Sequence, residues 1–178
     1  MSNPDFQAMR RAMVDSQLRT NAVNDPRVTA AIEAVARENF VPADRKATAY
    51  IDRAVPLAAG RAMNPPLATA RLIVEAGIGP SDKVLIVGAA SGYSATVVAG
   101  LAGSVVALES DADLVATAKA QLKGVANVSV IAGDLTKGSA KGAPFDVILV
   151  DGAIEEVPDA FVKAPGERIS ALADNVEQ

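Results

Sequence analysis

The chain has 178 residues and a formal net charge of −4, with 50% of its residues apolar and 21% charged, the balance of a soluble globular protein long enough to bury a proper core. It contains no cysteine and no histidine, which excludes disulfides, thiolate nucleophiles and thiolate metal sites and removes the commonest general base and metal ligand. Aromatic residues make up 3%, too few for base-stacking platforms, and the adjacent pair Arg10 and Arg11 is assigned to a solvated helix face, so no nucleic-acid partner is expected.

No apolar stretch reaches the length of a membrane span and the polar N-terminus lacks a signal-peptide core, so a cytoplasmic protein without a membrane partner is expected. Phe6, Met9 and Met13 mark a first amphipathic helix. Asp25 as N-cap and Pro26 at the first helical position open a second, with Val28, Ile32, Val35 and Ala36 at helical spacing. Val55–Met63, rich in small residues, reads as a long loop. Asn64, followed by Pro65, reads as the N-cap of a third helix carrying Leu67, Ala70 and Val74 on one face and stopping at Gly77.

From Lys83 onward strands and helices alternate. Strands are predicted at Lys83–Val87, Ser104–Leu108, Val128–Ile131, Phe145–Val150 and Arg168–Leu172, and helices at Tyr93–Leu101, Asp111–Leu122 and near Val157–Lys163. The continuous apolar runs VLIV, VVAL and VILV suit strands buried on both faces, as in a parallel sheet. The alternation therefore predicts an α/β fold, Rossmann-like and doubly wound, with a mainly parallel sheet. The chain reads as a single domain: a helical N-terminal cap over residues 1–79, laid across the sheet's ligand edge, and a core over residues 80–178.

In such sheets ligands bind beyond the carboxyl ends of the strands, near the point where the winding reverses. Four successive strand ends here carry glycine or a carboxylate: Gly88-Ala-Ala-Ser-Gly92, Glu109, Gly133-Asp134 and Asp151-Gly152. Gly88 and Gly92 allow a sharp strand-to-helix turn and close approach of a ligand to the backbone. Glu109 follows Gly88 by 21 positions, close to the spacing of the acidic residue that holds ribose hydroxyls, and its two oxygens match two vicinal hydroxyl donors. Asp134 is placed to accept from an adenine amino group, with a turn-forming role as the alternative. Asp151 lies where the reacting end of a ligand belongs, and Asp-Gly is also an ordinary turn pair.

The loop lacks what a dinucleotide needs. A Gly-x-Gly-x-x-Gly turn would place glycine at Ala90 and Tyr93, and no Lys or Arg stands between Gly88 and Gly103 to meet phosphate charge. An adenosine ligand without phosphates removes both demands, and S-adenosylmethionine is such a ligand. Methyl transfer from a sulfonium is an in-line displacement in which alignment supplies much of the catalysis, and a carboxylate acceptor needs no general base.

With these residues in view, the chain resembles the protein-L-isoaspartate O-methyltransferases from about Met13 onward. The segments MVDSQLRTNAVNDPRVTAAIEAVARENFVP and AYIDRAVPL resemble the family's helical lead-in. VLIVGAASGY resembles its glycine motif, ALES its ribose-binding acidic motif, and NVSVIAGDL with APFDVILVDGA its later strands. The resemblance implies that Gly88, Ser91 and Gly92 line the cofactor S-adenosyl-L-methionine, that Glu109 holds its ribose and that Asp134 lies near its adenine. It also implies a protein or peptide as methyl acceptor, with Asn64 and Asp151 as candidates at the acceptor end.

The departures from the family are specific. An acidic residue usual in the glycine motif is replaced by Ile86 and a further glycine by Ala90. The usual Gly-Gln-Thr-Ile-Ser of the preceding loop reads Gly60-Arg61-Ala62-Met63-Asn64, with neither hydroxyl left. No final antiparallel hairpin follows Arg168–Leu172, which leaves three readings open: a shortened chain, a sheet edge covered by the N-terminal helices, or an edge covered by a partner, a second copy of the chain included. Two further readings stay open on the sequence: a non-catalytic relative that binds cofactor or a partner only, and a nicotinamide-dependent oxidoreductase.

Overall fold

The computed structural model describes residues 4–58, 60–154, 156–162 and 168–173. Asp5 caps the first helix, α1 (Phe6–Met13), by accepting from the Ala8 N–H, and the helix runs on through a π turn, Val14–Leu18, and a 3₁₀ turn, Arg19–Asn21. As predicted, Asp25 accepts from the Arg27 and Val28 N–H groups and Pro26 stands first in α2 (Pro26–Ala34). Arg10 leaves the assigned solvated face. Its guanidinium donates to the Tyr50 hydroxyl at 2.9 Å and the Glu33 carbonyl at 3.2 Å, and pairs with Glu38 at 3.4 Å, tying α1 to the segment beyond α2.

The stretch expected to be a long loop is a small antiparallel hairpin, β1 (Val55–Pro56) with β2 (Ala62–Met63). Its turn is closed by Leu57 N–H to the Arg61 carbonyl at 2.9 Å and Arg61 N–H to the Ala58 carbonyl at 2.7 Å, bonds that small residues permit without side-chain crowding. The third helix, α3 (Pro66–Ala76), starts later than predicted. Pro65 takes the N-cap position with no side-chain cap, and Pro66, which has no N–H to satisfy, takes the first turn. Asn64 is therefore not the N-cap, and its amide is free for another partner.

The sheet contains β3 (Lys83–Val87), β4 (Ser104–Glu109), β5 (Val128–Ala132), β6 (Val147–Ile154) and β7 (Arg168–Ala173), with α4 (Tyr93–Ala99), α5 (Ala112–Gln121) and the short α6 (Asp159–Val162) between them. The strand order is β5-β4-β3-β6-β7 and every pairing is parallel. The winding thus runs outward from β3 through β4 to β5 and then reverses to β6 and β7, which puts the ligand edge at the carboxyl ends of β3 and β6. β6 runs through Asp151 and Gly152 with a register shift between Val150 and Ala153, so this Asp-Gly pair lies in a strand rather than a turn. The last residue of the predicted sixth helix, Lys163, and the chain after Ala173 lie outside the described residues.

Alternation along the strands divides the apolar side chains between two faces. Val84, Ile86, Val105, Ala107, Val147 and Leu149 join a large cluster with residues of α1 to α5, whereas Leu85, Val87, Val106, Leu108, Ile148 and Val150 meet Phe145 and Phe161 on the other face. Each of these side chains other than Ala107 contributes about 1.5–3 kcal/mol when fully buried. Ile86, where the family usually has an acid, is wholly enclosed in the larger cluster. The N-terminal part reaches the ligand edge through the segment that joins two of its helices. α2 packs on α3 and α4, and α3 on β6 and β7. The segment between α2 and α3 makes the contact, as its hydrogen bonds to Ser91, Glu109 and Asp151 show.

Candidate functional site

The turn after β3 is built from residues of unusual backbone conformation. Gly88, Ala90 and Gly92 have φ of +77°, +50° and +95°, and the Gly88 and Ala89 N–H groups donate to the Leu108 carbonyl at 2.9 and 3.0 Å. Ala90, where the family usually has glycine, bears the cost of a left-handed alanine, on the order of 1–2 kcal/mol. Urea unfolding of Ala90→Gly and Ala90→Val should therefore rank stability as Gly at or above Ala, with Val about 2 kcal/mol lower, because a β-branched residue tolerates positive φ worst.

Glu109 ends β4 with its carboxylate fully buried. Oε2 accepts from the Ala90 N–H at 2.7 Å; Oε1 accepts from the Ser110 and Asp111 N–H groups at 2.8 and 3.1 Å. Arg61 closes the set as a fork, Nη1 to Oε1 at 2.8 Å and Nη2 to Oε2 at 2.9 Å. Burial pushes the Glu109 carboxyl up, but the Asp111 and Ala90 N–H groups and Arg61 outweigh it and hold the carboxyl below its usual range. Arg61 also lies over Gly88: a β-carbon placed on Gly88 would stand 3.5 Å from Nη2 and 3.7 Å from the Asp151 carbonyl. The absence of basic residues along the glycine loop thus does not describe the site, because a guanidinium reaches it from the hairpin.

Asp151, on β6, forms the other end. Its Oδ1 accepts from Asn64 Nδ2 at 2.8 Å and its Oδ2 accepts from the Ser94 hydroxyl. The protein packed around it pushes this carboxyl up, against the opposing pull of Ser94, Asn64, Arg37 and Arg61. Arg37 underpins the arrangement from below with no exposed surface. It donates to the Ala49 carbonyl at 2.6 Å and to the backbone carbonyl of Asn64, and it stacks 4.7 Å from the centre of the Tyr93 ring. Beside Asp151 and the Arg61 guanidinium opens a cleft of about 690 Å³, lined by Arg61, Asn64, Gly88, Asp151, Leu135 and Phe161 among others, within the range of small-molecule sites.

Three of the sequence-predicted residues, Gly88, Asn64 and Asp151, line this cleft, and a fourth, Glu109, lies buried behind Arg61. The other three do not point into the cleft. The Ser91 hydroxyl donates to the Phe40 carbonyl at 2.7 Å and is buried. Gly92 faces α5, where a β-carbon would meet Leu122 at 3.0 Å. Asp134 is exposed and caps the turn Leu135–Lys137 through the Thr136 N–H and hydroxyl, the turn-forming role weighed on the sequence. Sequence reasoning missed Ser94 and Arg37, and it noted Arg61 only as part of an altered loop. Among the described residues no cluster of His, Cys, Asp or Glu is arranged to hold a metal, and no helix is long and apolar enough to cross a membrane.

A parallel sheet that reverses beside a glycine turn, with an acidic residue at the end of the neighbouring strand, defines a Rossmann-like nucleotide-binding domain. A solved structure described as protein-L-isoaspartate O-methyltransferase superimposes with a TM-score of 0.80 at 24% identity, over 90% of this chain and 54% of that one. A second, a putative enzyme of the same description from Plasmodium falciparum in complex with S-adenosyl-L-homocysteine, gives 0.76 at 21% identity over 93% and 85%. The sequence model of the family described as Protein-L-isoaspartate(D-aspartate) O-methyltransferase (PCMT) matches residues 8–169. A relative of that name from Koribacter versatilis is 41% identical over 90% of this chain and 74% of its own length. Another, from Roseiflexus castenholzii, is 40% identical over 86% and 71%. The chain belongs to the protein-L-isoaspartate O-methyltransferase family.

Proposed function

We propose that this chain is an S-adenosylmethionine-dependent O-methyltransferase that methylates a carboxylate of damaged aspartyl residues in proteins or peptides. The observation that carries this reading, beside family membership, is Glu109: a buried carboxylate at a strand end whose two oxygens face the cleft-side fork of Arg61. Those two acceptors suit a ribose diol, and Gly88 leaves room above the backbone, where a β-carbon would stand 3.5 Å from the guanidinium. The residues present thus fit an adenosine cofactor.

When bound, S-adenosylmethionine supplies a methyl group already activated on a sulfonium. Glu109 would hold the ribose and Gly88 would let the ligand lie close to the backbone. Asp134 caps the turn beyond β5 and would lie toward the adenine end, and Ser91 and Gly92 support the glycine turn from behind. Asn64 and Asp151 stand at the acceptor end, where alignment of an already ionised carboxylate acceptor is the work required.

The test is transfer of a labelled methyl group to an isoaspartyl peptide in a base-labile form, with calorimetric titration of S-adenosylmethionine and S-adenosylhomocysteine beside it. Tight binding without transfer refutes the substrate and favours a binding-only relative, the reading that Ala90 and the altered hairpin support. A second copy of the chain as partner belongs to the same proposal; a monomer by light scattering refutes that part. Neither a nucleic acid nor a membrane is part of it.

A pH prediction follows for Asp151. Its folded pKa is raised, so the folded form holds the proton more tightly. That contribution to stability is present below the ordinary carboxylate range and is lost as pH rises through the raised value. Urea unfolding should find Asp151→Asn no more stable than the parent near pH 4 (a value of about the free aspartyl pKa) and increasingly more stable toward neutral pH.

A further inference from the structure

We propose that Arg61 is a built-in occupant of the ribose subsite, which cofactor must displace in order to bind. The proposal rests on the reading of Glu109 given above and goes beyond it. Three observations carry it. The guanidinium fork satisfies both Glu109 oxygens at 2.8 and 2.9 Å, the same two acceptors that a vicinal diol would take, so the two donors compete for one site. The fork lies over Gly88, on the cleft side of the turn, where Nη2 would stand 3.5 Å from a β-carbon. Glu109 has no exposed surface while the Arg61 side chain is 28% exposed, so the carboxylate is fixed and the arginine is the partner free to leave toward solvent.

The carboxylate does not depend on the arginine for all its partners. The N–H groups of Ala90, Ser110 and Asp111 remain when Arg61 swings away. Displacement therefore exchanges two charge-assisted bonds for two hydroxyl bonds and leaves the backbone donors in place. The apparent affinity for cofactor is the intrinsic affinity scaled by the fraction of molecules with Arg61 out, so a pair held nine-tenths of the time costs about tenfold. Arg61 also stands three positions before Asn64, across β2.

Calorimetric titration of S-adenosylhomocysteine into the full chain and into Arg61→Gln tests this. Glutamine cannot form the charged fork, and the variant is expected to bind about tenfold or more tightly than the parent. Arg61→Lys, which keeps the charge without the fork, is expected to fall between them, and thermal unfolding of each variant establishes that it folds. Equal or weaker binding by a folded Arg61→Gln overturns the proposal while leaving the cofactor reading intact. Failure of the parent and both folded variants to bind overturns the cofactor reading, and the proposal with it.

Discussion

Glu109→Ala is expected to lower the unfolding free energy by about 3 kcal/mol and to abolish measurable binding of S-adenosylhomocysteine. On the sequence this glutamate reads as a ligand contact, the acidic residue that holds ribose hydroxyls. The structure shows a wholly buried carboxylate that accepts from three backbone N–H groups and a guanidinium fork. Alanine strands those N–H groups without acceptors in a site closed to water, and stranded buried donors cost more than the bonds were worth net. Glu109→Gln keeps one acceptor oxygen and should lose about half as much stability. The pH dependence has the opposite sign from that of Asp151. The folded pKa of Glu109 is depressed, so its contribution is present above the ordinary carboxylate range and is lost as pH falls through the depressed value. Urea denaturation of the parent and of Glu109→Gln from neutral to acid pH should show the two curves converging. A constant gap would show that the carboxylate is not the source of the difference.

Arg37→Ala is the second large effect, with an expected loss of about 3–5 kcal/mol. The side chain has no exposed surface, bonds the backbone carbonyls of Ala49 and Asn64, and stacks on Tyr93. Alanine removes all three interactions and leaves a cavity in a packed region. Burial pulls this guanidinium down from its ordinary value, against Tyr93 and Asp151, and its Nη1 finds no protein partner among the described residues. Arg37→Lys retains a cation but cannot reach both carbonyls at once, so about half the loss should remain. Thermal and urea unfolding read the stability. Methyl transfer measured below the melting range reads the displacement of Asn64, and a variant that loses stability with unchanged turnover would show that Arg37 does not position that residue.

The strands were legible because their apolar runs are unbroken. VLIV, VVAL and VILV place β3, β4 and β6 within two residues at their starts; β6 alone runs well past its predicted end, where alternation stops but the register with β7 resumes after a shift. Asp25-Pro26 announced α2 because cap and first-turn proline act locally. The same local logic misread Asn64. A residue with a good capping side chain before a proline looks like a cap, and only the tertiary contact with Asp151, 87 positions away, shows otherwise. Glu109 was legible through its spacing from Gly88. Arg61 was not, because nothing in a Gly-Arg-Ala sequence points to a carboxylate 48 positions later. Ser91 and Gly92 illustrate a different limit: composition announces a tight turn but not which of its residues face inward.

The hairpin that carries Arg61 and Asn64 has one further consequence, for how this site changes over evolutionary time. Two residues at opposite ends of the cleft share a segment of four positions, pinned by the register of Val55 with Met63 and Pro56 with Ala62. If Arg61 governs cofactor binding and Asn64 the acceptor end, a substitution that shifts the hairpin's register reaches both, and the two properties are expected to change together. Variation here should appear as exchange of the whole segment rather than as independent drift at its members, and transplanting residues 60–64 between relatives should carry both properties at once.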